Sequence, residues 1–185
     1  MSRRNVQLVV VCEDTQQESF IRRFLSRRGW DTRRIRVEKA AAGRGSGEQF
    51  VRERFPVELN AYRKKAGQVD QVVVAMIDGD NHGVTTRLKE LDDVCEKNGI
   101  PPRESADRVA VFVPTWNIET WFAYLDGHTV DESRPDYPRL ERERLCQSHV
   151  NILSEMCGSG GLKAPAPFSL SAGCVEYHQR LLGKD

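Results

Sequence analysis

Three carboxylates stand directly behind apolar runs of strand length. Glu13 follows Val6 to Cys12, and Asp78 and Asp80, with Gly79 between them, follow Gln71 to Ile77. The Asp-Gly-Asp tripeptide projects two acids from one tight turn and has no adjoining base. Hard divalent cations such as Mg²⁺ or Mn²⁺ take carboxylate oxygens and keep several waters, so two or three acids in one place are sufficient protein ligands. The same tripeptide also reads as a plain turn whose aspartates cap the next helix. His82, beside it, can contact a phosphate or simply occupy the turn. Glu119 lies in Pro114-Thr-Trp-Asn-Ile-Glu-Thr-Trp-Phe-Ala-Tyr-Leu125, where an acid can cap a helix opened by Pro114-Thr115 or face solvent.

Phosphate-binding groups are abundant near the N-terminus. Residues 1–65 hold 16 Lys and Arg against 8 Asp and Glu, while the remainder holds 12 against 19. The arginines cluster as Arg22-Arg23, Arg27-Arg28 and Arg33-Arg34 with Arg36. Guanidinium forks bind phosphate bidentately, so a basic face beside an acidic pocket suits a protein that grips a polyanion and works on it through metal ions; otherwise such clusters are solvated helix faces. Ala42-Gly-Arg-Gly-Ser-Gly47 can wrap a phosphate with backbone N–H groups and Arg44, or serve as a mobile connection. It lacks the Gly-Lys-Ser/Thr ending of a P-loop, which excludes that type of nucleotide site. Cys146 with His149, Cys174 with His178, and Cys157 have zinc-compatible local spacings but match no known pattern between pairs, and buried cysteine equally serves as a small hydrophobe. No Gly-x-Ser-x-Gly elbow is present, so a serine triad of that kind is excluded.

The elements that must position these groups alternate. Val6–Cys12 and Gln71–Ile77 are β-branched runs typical of strands buried on both faces. Between them, Thr15-Gln-Gln-Glu18 has capping-box form and opens a helix carrying Phe20, Ile21, Phe24 and Leu25. Ile35–Val37 predicts a short strand, and a further helix runs to about Lys65. Then come a helix over about Thr85–Lys97, a strand over Val109–Val113, and a helix that includes Trp116, Ile118, Trp121, Phe122 and Leu125. Strand–helix alternation predicts a mostly parallel sheet covered by helices on both faces. Residues 1–126 therefore form an α/β domain. Residues 127–185 form a C-terminal helical extension on the same core, with one helix containing Leu140, Leu145, Ile152, Leu153 and Met156, and a last one over about Ser169–Leu182.

With 39% hydrophobic and 30% charged residues over 185 positions, the chain can bury a core, which excludes disordered and fibrous classes. No apolar run approaches a membrane span, and Met-Ser-Arg-Arg is not followed by a signal-peptide stretch, so a cytoplasmic protein without membrane association is expected. Five cysteines without a CxxC pair predict reduced thiols.

A glutamate behind the first hydrophobic strand, a DxD behind a later one, and alternating elements over about residues 5–125 resemble the toprim (topoisomerase–primase) fold. Within it, Val9-Val-Val-Cys-Glu-Asp-Thr-Gln-Gln-Glu-Ser-Phe-Ile-Arg-Arg-Phe-Leu25 is similar to the EGxTEExFL opening of small proteins related to OLD-family and RloB-like defence nucleases. Asp14 stands where glycine is usual and Gln17 where the first of two acids is usual; Glu18 is retained. Residues 114–125 resemble their NPxFExWLL motif. The resemblance implies Mg²⁺- or Mn²⁺-dependent phosphodiester hydrolysis in antiphage defence, with Glu13, Asp78 and Asp80 as metal ligands and Glu119 joining them in catalysis; Arg22, Arg23, Arg44 and His82, from their charge and position, are the candidates for nucleic-acid contact. It implies a nucleic-acid partner, DNA before RNA, and allows a partner ATPase and a homo-oligomer. A toprim-like binding subunit without activity and a phosphohydrolase of small esters are the competing expectations.

Overall fold

The computed structural model describes residues 6–182 apart from 44, without the side chain of 159. Four strands, β1 (Gln7–Cys12), β2 (Arg36–Lys39), β3 (Gln71–Met76) and β4 (Val109–Phe112), form an all-parallel sheet in the order β2-β1-β3-β4. The helices between them are α1 (Thr15–Arg27), α2 (Gly47–Lys64) and α3 (Gly83–Lys97). After β4 follow α4 (Glu119–Leu125), α5 (Gln147–Glu155) and α6 (Phe168–Glu176), the last two continuing as wider helical turns over Met156–Gly160 and Tyr177–Leu182. The fold is the expected α/β architecture, a parallel sheet with helices on both faces.

Strand side chains alternate between two apolar clusters, as the two-residue period requires. Leu8, Val10 and Cys12, Val72, Val74 and Met76, and Ala110 and Phe112 face Phe20 and Phe24 of α1, Trp121 and Phe122 of α4, and Val150, Leu153, Leu170 and Tyr177. Val9, Val11, Val73, Ala75, Ile77, Val109 and Val111 face Val51, Phe55 and Leu59 of α2 and Val84, Leu91 and Cys95 of α3. Burial on both faces explains why these strands are apolar throughout rather than alternating. At the free edge, Glu176 accepts the Val111 N–H at 2.9 Å and pairs with Arg103 at 2.7 Å, so α6 covers the outer side of β4. No helix among the described residues is long and apolar enough to cross a membrane.

Several local expectations are corrected. The cap of α1 is Asp14, one residue before the capping box: its carboxylate accepts the Gln17 N–H at 2.8 Å, while Glu18 is drawn to Lys39 at 2.8 Å and Arg22 at 3.1 Å. Trp116 lies outside the helix that begins at Glu119, with φ 61°, in an antiparallel bridge to Asp80. The helical region after residue 138 begins only at Glu143, leaving Leu140 outside it. Its buried face is Cys146, His149, Val150, Leu153 and Cys157, with Leu145 and Ile152 exposed. Cys157 and Cys174 are joined in a disulfide, against the expectation of five thiols; Cys12, Cys95 and Cys146 are free and buried. That bond dissolves the zinc-compatible set. His149 Nε2 lies 2.9 Å from Asp126, and His178 Nε2 lies 2.5 Å from the Cys157 carbonyl.

Candidate active site

The strand order reverses between β1 and β3: from β1 the chain moves out to β2, crosses back, and continues from β3 to β4. In open parallel sheets the crevice at such a switch point, at the carboxyl ends of the strands, is where loops part and ligands bind. Glu13 leaves β1 and Asp78 follows β3 at this crevice. The Glu13 Oε1 accepts the Asp78 N–H at 2.6 Å. Gln17, in the first turn of α1, joins the same pair: its Oε1 accepts the Glu13 N–H at 2.9 Å and its Nε2 donates to Asp78 Oδ1 at 2.8 Å. Gln17 is buried, and no motif-based reasoning assigns it this part. The absence of an acid at position 17 is the signal that could have found it, since an amide can both donate and accept where a carboxylate only accepts.

Gly47, at the start of α2, belongs to the site by close approach. A Cβ there would lie 2.8 Å from Glu13 Cβ and 3.1 Å from Glu13 Oε2. Gly79 likewise admits the segment after β4: its N–H donates to the Pro114 carbonyl at 2.8 Å, and a Cβ would meet that oxygen at 3.0 Å. Asp80 and Trp116 then exchange backbone hydrogen bonds at 3.2 and 3.0 Å, both with positive φ. Backbone held in that region by residues other than glycine is strained, and such strain concentrates at functional sites. The clip brings residues 117–119 beside Asp78.

Asp80 turns away from this pocket. Its carboxylate pairs with Arg87 at 2.9 Å and is 55% exposed. Arg87 is fully buried, also holds Glu48 and Glu90 at 2.6 Å each, and donates from Nε to the Asp78 carbonyl at 3.0 Å. It therefore fixes the Asp-Gly-Asp turn from behind, a role the sequence pattern did not suggest. His82 lies beside Glu90, with Nδ1 at 3.1 Å, at the start of α3. Glu119, the first residue of α4, is 7% exposed and lines a pocket of about 290 Å³ with Asp14, Gln17, Asp78, Asn117, Arg139 and Glu143. The exposed Arg139 approaches Glu119 to 4.0 Å. Arg22 and Arg23 lie further along α1, and Arg44 lies outside the described residues. The structure thus brings Asp78 and Glu119 to one pocket, sets Glu13 against the Asp78 N–H behind it, and sends Asp80 and His82 to the Arg87 side.

The electrostatics follow from burying acids together. Among the described residues no Lys or Arg pairs with Glu13, Asp14 or Asp78. Burial pushes the Glu13 carboxyl up to about 7; the Asp78 N–H opposes this, and Asp80, Asp14 and Glu48 add to it. Asp78 is held well above the carboxylate range by burial and then by Glu13 and Asp14, against the Gln17 hydrogen bond. Glu119 is raised by burial, opposed by its own backbone N–H and by Arg139.

Among the described residues no three His, Cys, Asp or Glu side chains are grouped so as to hold a metal ion as they stand. The donor chemistry nonetheless fits a hard cation. Mg²⁺ needs only one or two carboxylates when substrate phosphate and water complete its shell. Glu13 and Asp78 are two such acids without a cation, and the buried Asn117 Oδ1 in the adjoining pocket has no hydrogen-bond partner. The fold and site define a parallel α/β protein with a carboxylate-lined pocket at the switch point of its sheet. Compared with known protein families, curated proteins and solved structures, the chain has no match.

Proposed function

We propose that this protein is a metal-dependent nuclease that hydrolyses nucleic-acid phosphodiester bonds, DNA before RNA. The observation that carries the reading is the hydrogen bond from the Asp78 N–H to Glu13 Oε1 across the switch point, at 2.6 Å, which sets the two acids side by side with no Lys or Arg paired to either among the described residues. The toprim resemblance of residues 5–125 supports it, and the proposal extends to a role in antiphage defence in the cytoplasm, with a partner ATPase and self-association.

Glu13 and Asp78 would hold the cation, with Gln17 fixing the orientation of both. A cation bound there supplies charge neutralisation at the phosphoryl group and polarises its P–O bond. Glu119 lines a pocket with Asp78, and its burial keeps a proton on it to higher pH than a surface acid would. Protonated, it can deliver that proton to the leaving ester oxygen as water adds to phosphorus. Asp80 acts through the turn: with Arg87 it keeps Asp78 in place rather than joining the ligands. The four tyrosines serve no nucleophilic role in this scheme: Tyr177 is buried in the core, Tyr124 donates to the Lys163 carbonyl, and the Tyr62 and Tyr137 hydroxyls accept the Arg108 and Asp131 N–H groups.

The test is incubation with supercoiled plasmid, linear DNA, RNA and a chromogenic phosphodiester in Mg²⁺ or Mn²⁺. Cleavage of a nucleic acid that stops in EDTA and is lost in Asp78→Asn is the expected result. Hydrolysis of the small ester alone makes the protein a phosphohydrolase. Cleavage undiminished in Asp78→Asn removes Asp78 from the site, and binding without any cleavage leaves a non-catalytic nucleic-acid protein.

A further inference from the structure

The clustered arginines separate into two classes once folded. Arg33 is paired with Asp31 at 2.6 Å, and Arg36 with Glu58 and Glu38 at 2.5 Å. Arg28 donates to the Ser154 carbonyl at 3.2 Å and lies over the Tyr177 ring. These are committed to the fold. Arg22, Arg23 and Arg27 instead line a depression of about 450 Å³ together with Ser26, Thr32 and Gln147.

That depression is positioned but only partly neutralised. Arg23 is held by uncharged partners, Gln147 Oε1 at 2.9 Å and Ser19 Oγ at 3.3 Å. Arg22 donates to the Thr32 carbonyl at 3.3 Å, and its one carboxylate, Glu18, is shared with Lys39. Arg27 is exposed and has no hydrogen-bond or ion-pair partner among the described residues. Residues 22, 23, 26 and 27 fall on one side of α1 by the helical period. Arg23, ordered by neutral acceptors, and Arg27 keep their charge available to an anion, and Arg22 keeps part of its own because its one carboxylate also serves Lys39.

We propose that this depression binds backbone phosphates of the nucleic-acid strand whose hydrolysis is proposed above, two to four nucleotides from the bond that is cut. The placement follows from α1. Gln17 touches Asp78, and Arg22, Arg23 and Arg27 follow it by five, six and ten residues, or about 7 to 15 Å along the axis. A stacked strand advances about 3.4 Å per nucleotide. The same flank borders both places. The Glu143 carbonyl accepts from Gln16 and Ser19, its residue lines the carboxylate pocket, and Gln147 one turn later lines the arginine depression. A strand following this flank would pass from one to the other, and a free polyphosphate would fill only the basic end.

The inference rests on the nuclease reading but is tested apart from it, in EDTA. Binding of a short labelled single-stranded DNA is followed by anisotropy between about 50 and 200 mM salt. Each phosphate contact on a single strand contributes about 0.7 to the log–log slope. Arg22→Gln/Arg23→Gln/Arg27→Gln should therefore lower the slope by about two units and Arg27→Gln alone by up to about 0.7, with Arg33→Gln unchanged. Tripolyphosphate should compete far less well than unlabelled DNA. Absence of DNA binding by the wild type, an unchanged slope in the triple variant with its tryptophan fluorescence native, or an equal fall in Arg33→Gln overturns the proposal; tripolyphosphate competing as well as DNA makes the depression a small-anion site. Slope loss in a protein that never cleaves sinks the nuclease reading and leaves the depression standing as a strand-binding site. Cleavage with an unchanged slope does the reverse.

Discussion

Replacing Glu13 by glutamine isolates the electrostatic cost built into the crevice. The carboxyl is raised from the ordinary 4.5 to about 7, first by burial and then by Asp80, Asp14 and Glu48. The folded protein therefore holds this proton more tightly than the unfolded chain does. Stability is greatest below about pH 4.5 as far as this group is concerned, falls as pH rises through 7, and is flat beyond. At 1.36 kcal/mol per pH unit the whole loss is roughly 3 kcal/mol. The glutamine Oε1 can still accept the Asp78 N–H, so the variant keeps the contact and loses only the charge. Its new amide group, near Gly47, imposes a cost of about 1–3 kcal/mol that does not vary with pH. The quantity to read is therefore the difference between wild type and Glu13→Gln in urea denaturation, followed by tryptophan fluorescence in EDTA at about pH 5 and pH 8, which bracket the folded-state titration. The variant should gain about 2–3 kcal/mol on the wild type between those two points. Asp78, relieved of its nearest charge, shifts in the same direction and does not mask the result. A difference independent of pH, or one of opposite sign, would refute the claim that these acids are buried together without a counter-ion.

Glu119→Gln should lower cleavage by orders of magnitude while the melting temperature stays within a few degrees, because its carboxylate caps only its own backbone N–H; normal turnover with an earlier melt makes Glu119 a helix-end residue. Gly47→Ala must move Glu13, since its Cβ falls 2.8 Å from that side chain, and should cost about 1–3 kcal/mol in urea denaturation; a neutral result would mean that α2 is free to shift. Arg87→Met strands Glu48, Glu90, Asp80 and the Asp78 carbonyl around an apolar side chain and should cost about 3–5 kcal/mol, with Arg87→Lys restoring only part because one ammonium cannot reach all four; wild-type stability in either would contradict the buried network.

Periodicity and composition were enough to read the α/β alternation. Burial on both faces marks whole runs rather than single positions: from Val72 to Ile77 every residue is apolar because helices cover the sheet on either side, and that is visible without coordinates. The acids behind the strands were legible for the same reason, since a polar residue ending such a run must lie at the sheet's edge. What only the tertiary structure decided is which of them meet. Asp78 and Asp80 are two residues apart in the chain, yet one faces Gln17 and Glu13 and the other a buried arginine of α3. Their separation depends on the Asp80–Trp116 bridge and on Arg87, contacts between distant segments that carry no local pattern. The Cys157–Cys174 bond and the division of the arginines into those spent on the fold and those lining one depression are of the same kind. Local spacing determines which face of an element a side chain occupies. Whether a charge there finds a partner depends on what the crossovers bring opposite it.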